Sequence, residues 1–290
     1  MKTPIVSAPK NLINGIAADF ININDRVVHY GDGLFETILC AEQKIYYWSL
    51  HYQRLKESAE KLNISCPLEQ VLLDDIKSCL EGLDEPCAIK IIITRGNSKR
   101  GYRYDKTITG KRIVMISELA QDYSSLLSRQ LLSGDLFLCQ QQASINKSTA
   151  GLKHLNRLEN VLARNEWADE AYIDGLMLNH NSHVIEATMS NLFAIKDHRL
   201  MTPDLSLSGV NGIMRRVILN IADELNIKTV VEDITLENIM KADELFISNS
   251  LIGIKSIDTF NDKTFGEPSV TKNIFDELIS SVENNAKKLQ

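Results

Sequence analysis

The 290-residue chain is long enough to bury one large core or two ordinary ones, and its 44% hydrophobic and 24% charged residues match a globular protein. A formal charge of -6, with no basic cluster, argues against nucleic acid or an anionic membrane as partner. No apolar run approaches the length of a bilayer span, and the Met1-Lys2-Thr3-Pro4 start leads into no apolar signal core. The five cysteines (Cys40, Cys66, Cys79, Cys87, Cys139) form no C-x-x-C pair and read as reduced thiols, so a cytoplasmic protein is expected. No metal site is expected: His180 and His183 stand three apart but lack further ligands, and read as a hairpin tip.

In chain order, residues 12–15, 33–39 and 44–48 read as short strands with turns. A helix follows from Ser49, with Leu55, Ala59 and Leu62 on one face, and a second is expected over 68–80. Residues 87–94 are apolar and β-branched, as in a buried strand; 95–101 form a loop rich in cations and turn residues, and 112–117 return as a strand. The polar stretch 121–128 is the expected linker between domains at 1–120 and 129–290. Beyond it come a strand at 136–141 and a lysine-bearing segment leading into a helix with Leu155, Leu158 and Leu162 at helical spacing. Short strands fill 170–203, broken at 180–183 and 196–199. A helix begins at Gly212 with Ile213, Val217, Ile221 and Leu225 on its apolar face, then a strand at 245–248 and a last helix from Val270. Strands and helices interleave irregularly, which fits a two-domain α/β or α+β arrangement better than a parallel barrel.

Four segments carry chemistry. They are Asp25-Arg26 with Gly31-Asp32-Gly33-Leu34-Phe35-Glu36-Thr37; Gly151-Leu152-Lys153-His154-Leu155-Asn156-Arg157; Glu186-Ala187-Thr188-Met189-Ser190-Asn191-Leu192-Phe193; and Gly209-Val210-Asn211-Gly212-Ile213-Met214-Arg215. Taken singly, each has an ordinary explanation: a solvated lysine, a strand-end carboxylate, a helix capped by Asn211. In this order and at these separations they resemble the class IV (fold-type IV) pyridoxal-phosphate enzymes, over essentially the whole chain. That group includes branched-chain aminotransferases, D-amino-acid aminotransferases and 4-amino-4-deoxychorismate lyases, and the lysine and Gly209 segments are most similar to those of the lyases.

The resemblance implies a two-domain fold with a smaller N-terminal α/β domain and a larger C-terminal domain built on a pseudo-barrel. It implies pyridoxal 5'-phosphate as cofactor, a small-molecule substrate and a homodimer. Lys153 becomes the Schiff-base lysine; an amine attacks an aldehyde only when neutral, so burial, a helix N-terminus or a neighbouring cation must help it shed its proton. Freed by the substrate's amine, it serves as general base. Glu186 becomes the partner of the pyridine nitrogen. Gly212, with the N–H groups of Ile213 and Met214, becomes the phosphate cradle, seconded by Asn249 and Ser250. Arg54 matches an arginine that reaches the phosphate, the alternative being an ion pair with Glu57 or a neighbour. Arg100 matches a loop arginine for the substrate carboxylate. Gly31-Asp32-Gly33 lacks the third glycine and following helix of a dinucleotide fingerprint and reads as a tight turn aiming Phe35 and Thr37 at the substrate. Phe35 stands where D-amino-acid aminotransferases carry a tyrosine. The implied reaction converts 4-amino-4-deoxychorismate to 4-aminobenzoate and pyruvate, a step toward folate. An aminotransferase using the same lysine and glutamate, or a binding protein that keeps the fold without the chemistry, are the alternatives.

Overall fold

The computed structural model describes residues 11–289, so the first four residues weighed above lie outside it. The chain forms two compact units: one holds the residues up to Ala120, His154–Asn156 and the chain end from Ala286, the other Gln121–Lys153 and Arg157–Asn285. No described helix is long and apolar enough to cross a membrane.

The first unit contains β1 (Leu12–Ile13), β2 (Ile16–Ala17), α1 (Arg26–Tyr30), β3 (Gly33–Ala41), β4 (Lys44–Tyr46), α2 (Trp48–Leu62), α3 (Glu69–Leu80), β5 (Cys87–Thr94) and β6 (Lys111–Glu118). With the chain-end strand Ala286–Lys288 they make a seven-stranded sheet in the order chain end–β4–β3–β5–β6–β1–β2. Period-two alternation divides its central strands. Leu34, Glu36 and Ile38 of β3 register with Ile93, Ile91 and Ile89 of β5 on a buried face, against which α2 and α3 pack. Phe35, Thr37, Lys90, Ile92, Ile113 and Met115 share the opposite, half-buried face.

Sequence periodicity missed α1. Its signals are short-range: the Asp25 carboxylate accepts from the N–H of Val27 (3.0 Å), and Gly31 ends the helix in the left-handed region at φ 59°. Trp48, expected to end β4, instead starts α2.

The second unit contains α4 (Ser125–Ser128), β7 (Leu132–Leu138), α5 (Leu158–Arg164), β8 (Tyr172–Leu178), β9 (His183–Ala187), β10 (Asn191–Lys196), β11 (Arg199–Pro203), α6 (Ile213–Glu224), β12 (Thr229–Glu232), β13 (Ile234–Thr235), α7 (Leu236–Lys241), β14 (Glu244–Asn249), β15 (Gly253–Phe260), β16 (Lys263–Thr264) and α8 (Ser269–Ser281). Its ten-stranded mixed sheet runs β12–β11–β10–β14–β15–β7–β8–β9–β13, with β16 turned back on β15. β9 also comes against β10, so the sheet curls into a nearly closed barrel around Leu136, Leu176, Val184, Leu192, Leu245 and Ile257. The 180–183 break is the tip of the β8–β9 hairpin, where the Asn179 side chain accepts from the N–H groups of Asn181 and His183.

The stretch 121–128 opens the second unit and is folded: a 3-10 turn precedes α4, Ser124 Oγ donates to the Leu251 carbonyl (2.5 Å) and the Ser125 N–H to that of Ile252 (3.0 Å). One expectation is corrected by the next segment. The helix after the lysine begins only at Leu158, because His154–Asn156 are used elsewhere: His154 bridges to Leu34 and the Leu155 N–H donates to the Gly33 carbonyl (3.1 Å). Leu158, Val161 and Leu162 are 70%, 54% and 52% exposed, so that face is not part of this chain's core.

Candidate active site

Three of the four sequence segments converge within the second unit, and backbone hydrogen bonds hold them together. Gly151 pairs in parallel with Val210: the Gly151 N–H donates to the Gly209 carbonyl (2.9 Å) and the Asn211 N–H to the Gly151 carbonyl (3.1 Å). Lys153, half-buried, lies two residues beyond this bridge in neither helix nor strand. Glu186 sits on β9 opposite Met177, and its Oε2 accepts from the Val210 N–H at 2.8 Å. Asn191, at the start of β10, closes the arrangement: its Nδ2 donates to the Val210 carbonyl (2.8 Å) and its Oδ1 accepts from the Gly212 N–H (3.2 Å).

Glycines make this approach possible. Gly209 stands at φ +79°, and a Cβ there would press on Ile185, Leu205 and Glu186 Oε2; a Cβ on Gly212 would overlap Asn191 Oδ1.

The charges are built for an anion beside a carboxylate. Gly212 precedes the twelve-residue α6 without a side-chain cap, and no acidic residue stands in its first turn. The first-turn N–H groups of Ile213 and Met214 therefore face the positive end of the helix dipole with no helical carbonyl in reach. Glu186 is 7% exposed; burial pushes its carboxyl above the ordinary value, while the charges of Arg157 and Lys153 and the Val210 N–H pull the other way. Arg157 is itself anchored by an Nη2 bond to the Leu152 carbonyl (2.9 Å).

Asn249 has structural work: its Oδ1 accepts from the Leu251 and Ile252 N–H groups (both 2.9 Å) and its Nδ2 donates to Ser190 Oγ (3.1 Å). Ser250 follows in the β14–β15 turn, partly buried.

Arg54, Arg100, Phe35 and Thr37 belong to the first unit. The buried Arg54 grips Glu36 through Nε (2.8 Å) and Nη2, and His51 Nδ1 lies 2.6 Å from the same carboxylate. Burial opposes the charge on Glu36, but Arg54 and His51 outweigh it and hold the carboxyl at about 2 against an ordinary 4.5. A depressed carboxyl stabilises the fold above its unfolded value and loses that contribution as pH falls from 4.5 toward 2, about 3 kcal/mol in all. Urea titrations should therefore show wild type losing roughly 1 kcal/mol more than Glu36→Gln between about pH 6 and about pH 3.5. Parallel pH curves would contradict this.

Arg100 is exposed on the loop after β5, while Phe35 and Thr37 are half-buried neighbours on one sheet face. Lys90 registers opposite Thr37, with its Nζ 5.2 Å from the Phe35 ring. Sequence reasoning passed over Lys90, although a lysine inside the apolar run 87–94 was a visible signal. It also passed over Arg157 and Asn191, whose importance comes from tertiary pairing.

A family model described as amino-transferase class IV matches residues 33–259. An aminodeoxychorismate lyase of Vibrio harveyi is 36% identical over 245 residues, covering 84% of this chain and 89% of the relative. The crystal structure of a 4-amino-4-deoxychorismate lyase from Pseudomonas aeruginosa superposes with a TM-score of 0.85 at 32% identity, covering 94% of this chain and 99% of that one. The Escherichia coli branched-chain aminotransferase shares the fold, with a TM-score of 0.83 at 21% identity and coverage of 98% and 100%. With the family model spanning most of its length and a lyase of 36% identity covering 84% of it, the chain belongs to the class IV aminotransferase family.

Proposed function

We propose that the protein is a pyridoxal-phosphate-dependent lyase that converts 4-amino-4-deoxychorismate to 4-aminobenzoate and pyruvate. The observation that carries the reading is the meeting of Lys153, Glu186 and the α6 N-terminus around the Gly151–Val210 bridge, in a chain 36% identical to such a lyase. The residues fit the cofactor chemically: an amine for its aldehyde, uncapped N–H groups for its phosphate and a buried carboxylate for its ring nitrogen.

When bound, pyridoxal phosphate supplies an aldehyde that holds an amine covalently and a ring that takes up electrons from a carbon losing its proton. Lys153 would hold the aldehyde through Nζ, and its free amine would serve as the base for the proton on the substrate's amine-bearing ring carbon. Glu186 keeps a proton on the ring nitrogen through its carboxylate, held in register by the Val210 N–H. The Ile213 and Met214 N–H groups would hold the phosphate at the start of α6. Breaking the neighbouring ring C–O bond makes the substrate ring aromatic, and the departing enolate becomes pyruvate by taking up a proton, for which the one held by Lys153 is available. Arg54, Asn249 and Ser250 are assigned to the phosphate and Arg100, Phe35 and Thr37 to the substrate on the strength of the resemblance. A substrate that yields two carboxylic acids carries two carboxylates, and Lys90 is a second cation beside Phe35 and Thr37.

The exposed Leu158, Val161 and Leu162 of α5 suit burial against a second copy, which supports a homodimer, and five free thiols suit a reducing cytoplasm. Turnover settles the branch. Pyruvate and 4-aminobenzoate should form in equal amounts from aminodeoxychorismate with no 2-oxo acid added. Amino exchange between amino acids and 2-oxoglutarate, with no pyruvate released from aminodeoxychorismate, would replace the lyase by an aminotransferase.

A further inference from the structure

Arg26 has no part in the chemistry above, yet it is only 4% exposed and uses every face of its guanidinium. Its Nε donates to Asp32 (2.7 Å), its Nη1 to Ser98 Oγ (3.1 Å) and the Gly101 carbonyl (2.9 Å), and its Nη2 to the Tyr102 carbonyl (3.0 Å). Its Cζ lies 4.8 Å from the centre of the Tyr30 ring and 5.6 Å from that of Tyr104. Three of the four bonds thus go to one loop, and they bracket Arg100.

The rest of the loop is fixed from the same side. The Gly101 N–H donates to Tyr30 Oη (3.2 Å), Tyr102 packs on Tyr30, and Gly101 takes φ +113°, which no residue with a side chain adopts comfortably. Asp32 is shared between Arg26 and Arg95, so the Gly31-Asp32-Gly33 turn and the loop are joined through one carboxylate. Lys99, Arg100 and Arg103 stay exposed on a loop whose backbone is held. A loop fixed this way presents its cations without the entropy cost of ordering them at each encounter.

We propose that Arg26 is a positioning residue that sets the backbone on both sides of Arg100, and through it the binding of a substrate carboxylate. The proposal rests on the lyase reading for the identity of that substrate. Lysine cannot replace the fork: it keeps the charge but offers one nitrogen where three directions are bonded. Arg26→Lys should raise KM for aminodeoxychorismate about tenfold while kcat stays within about twofold and the bound cofactor's absorbance is unchanged. Because Arg26 acts through Arg100, the double variant R26K/R100A should raise KM no further than R100A alone. Trypsin gives a readout independent of substrate: in R26K, and in R26Q, cleavage after Lys99, Arg100 or Arg103 should become several-fold faster than in wild type.

Wild-type KM together with wild-type tryptic resistance in R26K would overturn the proposal. So would additive effects in the double variant, or a fall in kcat and cofactor absorbance at unchanged KM, which mark a merely structural role. The tryptic arm still reads the clamp if wild-type protein releases no pyruvate, a result that would sink the lyase reading alone.

Discussion

Lys153→Ala is expected to lower kcat for pyruvate release by about 10⁴-fold or more while leaving the fold intact. Two proposed roles would end together in this variant: the covalent hold on the aldehyde, and the base for the proton on the substrate carbon, which alone accounts for about 10²–10⁴-fold. The roles belong to one amine and are not additive, so the loss reads as a floor and not as a sum. Stability should change little, because the Gly151 backbone bonds that position this segment are untouched by the substitution. Far-UV circular dichroism and the thermal midpoint check the fold; a stopped assay for 4-aminobenzoate checks the rate. Residual turnover within about tenfold of wild type would show that another group removes the proton.

Glu186→Gln is expected to cost about 10²-fold in kcat with little change in KM, on the scale of losing one aligned electrostatic partner. Glutamine is nearly isosteric and its amide oxygen can still accept the Val210 N–H, so the backbone arrangement at 209–211 should survive. It carries no charge, however, and cannot keep a proton on the ring nitrogen. Burial already raises the carboxyl of Glu186, and Arg157 and Lys153 act to keep it ionised; a cationic ring nitrogen would add to that attraction. Glu186→Ala should do worse than glutamine in cofactor affinity as well, because it also leaves the Val210 N–H without its acceptor. Rates for E186Q within threefold or so of wild type would remove Glu186 from the chemistry.

How much of this could be read from the sequence varied with the range of the force involved. Strand β5 matches the expected 87–94 because a continuous β-branched run between turn residues has few other ways to fold. α6 starts one residue after Gly212 because its apolar positions repeat at helical spacing. α1 escaped because five residues give no periodicity, and its cap and αL glycine are backbone events. The face bearing Leu158 and Leu162 was periodic but is exposed, since periodicity reports an apolar stripe and not what covers it.

The candidate site divides the same way. The segments of Lys153, Glu186 and Gly212, singled out by residue type and spacing, are ones the fold brings together. Asn191, which ties Val210 and Gly212 to β10, and Arg157, whose charge reaches Glu186, were not: their roles exist only once distant strands meet. The same holds for Arg54, whose partner Glu36 lies eighteen residues earlier on another element.

The most direct test of the account is to reduce the purified holoenzyme with borohydride, digest it and map the modified residue by mass. The account predicts loss of the yellow absorbance and a single phosphopyridoxyl group on Lys153. A label on any other lysine, or a colourless protein that takes up no pyridoxal phosphate and no label, would contradict it.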